Sequence, residues 1–157
     1  DLLESRGLGD VYKRQLKSRN VTQKRLELCG IKKIEEIIIP HKENILCNKI
    51  QICINRNVDI ILIIGPHAIT HIKDVIPNAI SKSGAKIIRF GIPVEPGNLL
   101  LLSKFKSSNK DIYIIGMPSC AKSPKENGLD WVLWRILCNI NFKNSNLNEL
   151  SVGGLIK

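Results

Sequence analysis

No stretch of this chain stays apolar for the roughly 20 residues that a helix needs to cross a bilayer. No short apolar run follows a basic N-terminal segment in the manner of a secretory signal. Aromatic residues make up only 4% of the chain, so the core has to be built from aliphatic side chains, chiefly Ile and Leu. The cysteines Cys29, Cys47, Cys53, Cys120 and Cys138 include no Cys-x-x-Cys pair, which argues against zinc or another metal. An odd number of cysteines without framework spacing reads as reduced thiols, mostly buried, in a cytoplasmic protein. Internal repeats and low-complexity blocks are also missing. These absences exclude a helical membrane protein, a disulfide scaffold and a zinc module.

Positive charge, by contrast, is plentiful: 24 Lys and Arg stand against 14 Asp and Glu, a net charge of +10. A basic surface favours anionic partners, phosphorylated small molecules or nucleic acid. A genome rich in Lys, Asn and Ile codons accounts for the same balance about equally well. With no aromatics interleaved among the lysines, a nucleic-acid groove is the weakest of these readings. The run Ser5 to Gln15 reads as the translation of a transposase sequencing adapter, so residues 1–15 are set aside as an artefact. Residues 1–15 hold three basic and three acidic residues, so the excess charge belongs to residues 16–157. That remainder is the size of one domain with a real core.

The densest information lies between Val58 and Asn98. An apolar strand over residues 58–64 stops at Gly65 and opens into the polar loop Pro66 to Asp74. A second strand, residues 111–115, stops at Gly116 and opens into Met117-Pro118-Ser119-Cys120-Ala121-Lys122-Ser123-Pro124. Strands that break at a glycine and feed a helix are where α/β proteins hold ligands. Around them the pattern predicts a helix over 22–28 with Thr22 as N-cap and Gly30 as stop, a strand over 33–39, and a helix over 41–55. It continues with a helix over 75–82 holding Pro77 in its first turn, a strand over 86–90, and a turn-rich link over 91–98. A strand over 99–105, a polar turn over 106–110 and a helix over 127–139 complete the main part, and the tail 144–156 carries one helical turn before Gly153-Gly154. Trp131 and Trp134 are expected on the core face of their helix. His67 and His71 read as exposed loop residues. Asp74 reads as the N-cap of the helix that follows or as a ligand contact. Cys120 lies beside Lys122, which would lower a thiol pKa, although a small packed residue is the commoner outcome. Alternating apolar strands and helices predict an α/β fold with a mostly parallel sheet covered on both faces.

Four segments carry a resemblance: Gly65 to Ile80, Pro93 to Leu100, Cys120 to Leu133, and Val152 to Leu155. Together they resemble the molybdopterin-binding (MoaB/Mog-like) domain, in the subgroup found upstream of a MobA-like nucleotidyltransferase. The most specific piece is Ser123-Pro124-Lys125-Glu126-Asn127-Gly128, and the likeness spans residues 16–157. It implies a three-layer α/β/α sandwich, N-terminally truncated because the first strand of the family would lie upstream of Leu16. It also implies that molybdopterin or the molybdenum cofactor is bound, with Gly65, Thr70 and Asp74 on one loop, Pro96, Gly97 and Asn98 on a second, and Gly116, Pro118, Ser119, Ser123 and Lys125 on a third. Lys73 and Lys122 would add positive charge.

Active members carry Gly-Gly-Thr-Gly where this chain has Gly65-Pro66-His67-Ala68. Pro66 removes an N–H from that loop. Where an acidic pair usually follows a Val-Pro this chain has Pro40-His41-Lys42-Glu43, so an imidazole replaces a carboxylate expected to help hold magnesium, and Ser119 stands where Gly is usual. The resemblance therefore implies a binding module of molybdenum-cofactor maturation, presenting the pterin phosphate to a downstream nucleotidyltransferase domain of the same full-length chain. The alternative is a molybdopterin adenylyltransferase with a divergent loop, which would use Mg; a nucleic-acid-binding domain is the weaker one.

Overall fold

The computed structural model describes residues 18–140, Phe142 and 147–151. Its centre is a 4-stranded sheet in the order β1-β4-β3-β2, formed by β1 (Ile60–Ile63), β2 (Lys86–Phe90), β3 (Leu101–Lys106) and β4 (Asp111–Gly116). Apolar aliphatic residues make the central strands: Ile112, Ile114 and Ile115 of β4 and Leu101 and Leu102 of β3 are fully buried. Successive side chains alternate between faces. Leu101 and Ile114 enter one core while Leu102 and Ile115 enter the other.

Helices cover both faces. The described part of α1 runs over residues 18–28, and its Leu26 joins Leu129, Val132, Leu133 and Ile136 of α4 (Gly128–Leu137) on one side. On the other side α2 (Glu43–Asn55) brings Leu46 and Ile50, and α3 (Val75–Lys82) brings Ile76, Ala79 and Ile80. Burying each such Leu, Ile or Val side chain contributes roughly 1.5–3 kcal/mol, and the two aliphatic cores hold the sheet between them.

The sheet is mixed, not mostly parallel. β1 pairs with β4 in parallel, whereas β3 pairs antiparallel with both β4 and β2. The reason is connection length. A parallel crossover needs a dozen or more residues, usually a helix, but β3 and β4 are joined by a tight turn closed by Ser107 N–H to Lys110 O at 3.0 Å. The link from β2 to β3 has no helix either.

Three local expectations change. Thr22 lies inside α1, with its hydroxyl buried and unpartnered among the described residues, so it is no cap; Gly30 does end the helix, at φ +78°. Residues 33–39 form no strand. That segment passes from Ile31, packed on the α1/α4 core, to Ile39, packed on the α2/α3 core. Ion pairs hold it on the way, Arg19 to Glu36 and Arg56 to Glu35, each at 2.6 Å. It leaves Ile38 81% exposed and the outer edge of β1 unpaired among the described residues. Only one of the two tryptophans faces the core: Trp134 is exposed, whereas half-buried Trp131 packs against the α1/α4 core and donates its indole N–H to Glu126 Oε1 at 2.6 Å. In the tail, residues 147–151 are helical, and Gly153-Gly154 lie outside the described residues.

Candidate functional site

Register decides where the loops go. Ile63 of β1 lies opposite Gly116 of β4, Gly116 lies opposite Leu101 of β3, and Leu101 lies opposite Phe90 of β2. The carboxyl ends of β1, β4 and β2 and the amino end of β3 are therefore one end of the sheet. Three loops leave from it, residues 64–74, 91–100 and 117–127, and all the site residues expected from the sequence stand on them or on the strand end at Gly116.

The first loop is folded by its own acid. Asp74 occupies the N-cap position of α3, but its side chain makes no capping hydrogen bond to the helix. Its Oδ2 instead accepts from Thr70 N–H and His71 N–H, both at 3.0 Å, drawing the loop into a turn. His71 Nδ1 accepts from Lys73 N–H at 3.0 Å. His67 and His71 are exposed, and among the described residues no group of three or more His, Cys, Asp or Glu side chains could hold a metal ion.

The second and third loops are bolted to each other. Gly97 has φ +125°, a conformation that suits glycine, and a Cβ there would stand 2.5 Å from Gly128 N. Pro96 O accepts from Gly128 N–H at 2.8 Å, so the Pro-Gly turn rests on the first residue of α4. That helix starts with a capping box in which Asn127 Oδ1 accepts from Leu129 N–H at 3.0 Å and Asp130 Oδ2 accepts from Asn127 N–H at 2.9 Å.

The first and third loops meet across the ends of β1 and β4. Lys122 Nζ donates to Gly65 O at 3.4 Å, and Met117 N–H donates to Ile63 O at 2.9 Å. Both strand-ending glycines make room for isoleucines. A Cβ on Gly116 would lie 2.5 Å from Ile69 Cδ1, and one on Gly65 2.9 Å from Ile76 Cδ1. Close approach at these glycines is thus taken up by aliphatic packing.

A cleft of about 230 Å³ opens beside the first loop, lined by His41, His67, Ala68, Ile69, Thr70, Asp74, Val75 and Ile76. Thr70 and Asp74 are the expected site residues that line it. Gly65 lies next to it, with His41 Cε1 3.9 Å from where its Cβ would be. Pro96, Gly97, Asn98, Gly116, Pro118, Ser119, Ser123 and Lys125 stand on the same end of the sheet without lining the cleft. A second cleft, about 320 Å³, lies along α4 between Trp131, Trp134, Arg135, Glu149 and Leu150. Cys120 is not activated by Lys122: burial pushes its thiol pKa above the ordinary value.

Sequence reasoning missed Arg25, which no motif marks and which reaches the third loop from α1. It also missed the Asn127/Asp130 capping box, although an amide followed three residues later by an acid ahead of an apolar run was a legible signal. Comparison with family models, with curated proteins and with solved structures gives no match to this chain.

Proposed function

We propose that this chain is a molybdopterin-recognition domain of molybdenum-cofactor maturation, with a three-layer α/β/α architecture of the MoaB/Mog type, and that it presents the pterin phosphate to a nucleotidyltransferase domain. The observation that carries the reading is the gathering of the three resemblance-bearing loops at one end of the sheet, beside a cleft lined by the imidazoles of His41 and His67, with Lys122 bonded to the neighbouring Gly65 O. Ligands of open α/β sheets bind at this position.

The size and lining of the cleft suit one end of the ligand. At about 230 Å³ it falls below the roughly 300 Å³ at which whole drug-sized ligands are usually enclosed, so it takes an anionic group and leaves the tricyclic ring outside. His41, His67, the backbone N–H groups at the start of α3, and Lys122 would face the phosphate. Asp74 would act through the Thr70 and His71 amides it holds. The bound cofactor supplies the dithiolene that carries molybdenum; the chain supplies position and charge. Pro66, which has no N–H, and Ile69, which covers Gly116, favour binding over ATP-dependent adenylylation.

Equilibrium binding of molybdopterin to the full-length protein tests this. Asp74→Ala and Lys122→Ala should each weaken binding about tenfold, the scale of losing one charge-assisted hydrogen bond. Unchanged affinity in both would remove these loops from the site. Formation of adenylylated pterin from ATP and Mg would replace the binding reading with the adenylyltransferase one.

A further inference from the structure

Arg25 projects from α1 and is 6% exposed, a burial that a cation tolerates only when its donors are satisfied. Its Nε donates to Asp130 Oδ1 at 2.5 Å, Nη1 to Ala121 O at 2.9 Å, and Nη2 to Ser123 O at 3.1 Å and Lys125 O at 3.2 Å. One guanidinium thus gathers the carbonyls of alternate residues in the third loop and ties them to the first turn of α4. Asn127 closes the network by donating its Nδ2 to Lys125 O at 3.1 Å.

A buried ion pair adds little net stability compared with an apolar pair of similar volume. A planar guanidinium adds donors in a fixed geometry. With the carbonyls of Ala121 and Ser123 turned inward to it, Lys122 between them extends to Gly65 O at 3.4 Å, the contact that joins this loop to the cleft. The path runs from α1 through three carbonyls to one lysine.

We infer that Arg25 is a positioning residue for the anion site: it sets the shape of residues 121–125 and through them places Lys122 beside Gly65. The ligand in this inference rests on the molybdopterin reading; the shaping of the loop does not.

The test uses the full-length protein with Arg25→Lys, Arg25→Met, Lys122→Ala and the double variant Arg25→Lys/Lys122→Ala. Arg25→Lys keeps the charge facing Asp130 but loses the planar fork, so it carries the test if Arg25→Met fails to fold. Amide hydrogen exchange should quicken over residues 121–129 in Arg25→Lys while the strands stay protected. Molybdopterin affinity should fall about tenfold, and the double variant should bind no more weakly than Lys122→Ala alone, because both changes remove one contact. Unchanged loop exchange in Arg25→Lys, wild-type affinity in that variant, or fully additive losses would each overturn the inference. If the wild-type protein binds no molybdopterin, the ligand reading falls, and the exchange result still decides whether Arg25 shapes the loop.

Discussion

Gly97 and Gly30 share a positive φ and differ in surroundings. A Cβ on Gly30 meets nothing within 4 Å, whereas one on Gly97 stands 2.5 Å from Gly128 N and 2.7 Å from Gly128 Cα. Gly30→Ala should therefore cost only the left-handed strain, roughly 1–2 kcal/mol. Gly97→Ala adds a backbone clash that no rotamer relieves, for a loss of about 3 kcal/mol or more. Urea denaturation of both variants checks this, and equal losses would show that the Pro-Gly turn is not seated on α4 as described. The same scale decides between the two readings of Cys120, in favour of the packed residue. Its neighbour Lys122 is visible in sequence, but the burial that raises its thiol pKa is a property of the packed loop. The exposed thiol is Cys138.

Between elements, the α2/α3 pair is joined at its polar rim by Glu43. Its carboxylate accepts from Lys82 Nζ and, at 3.1 Å, from Asn78 Nδ2. The Lys82 hydrogen bond first, then the Asn78 one, holds the Glu43 pKa below the ordinary glutamate value. A carboxyl with a depressed folded-state pKa contributes stability above its unfolded pKa and loses it as pH falls through the folded value. Wild type should thus melt above Glu43→Gln at neutral pH, and the gap should close on acidification below the glutamate range. A gap that persists at low pH would mean that Glu43 acts by packing instead. Being exposed, the link is also expected to weaken in high salt. Helix positions here were legible: the apolar spacing of α2, α3 and α4, Pro77 in a first turn, and the glycines at 30 and 84 all mark boundaries in sequence. Strand pairing was less so, because residues 33–39 carry a strand-like Ile run that ends up bridging two cores.

Across the whole molecule, the open edge of β1 lies in a chain whose exposed apolar residues include Ile34, Ile37, Ile38 and Ile64. Unpaired N–H and C=O groups flanked by apolar side chains template association. Residues 16–157 produced alone should self-associate, and Ile38→Lys should reduce it with little effect on the melting temperature, since Ile38 is already 81% exposed. Light scattering against concentration measures this; a monomeric wild-type fragment would show the edge to be harmless.

Local chemistry was sufficient to mark where the chain breaks, turns and turns polar: Gly65, Gly116 and the Pro96-Gly97 turn interrupt apolar runs that cannot continue through them, and the alternation of strands and helices already meant an α/β fold. The direction of β3 was legible too, in connections too short for a crossover, though the alternation pattern outweighed it. What awaited the tertiary structure was everything that depends on contacts distant in sequence. Ile69 packing over Gly116 and Arg25 collecting carbonyls from a loop about a hundred residues away are set by the register of β1 on β4 and by α1 packing beside α4. A side chain's nearest neighbours along the chain specify its backbone; its chemical partners are specified only once the sheet has brought remote loops to one end.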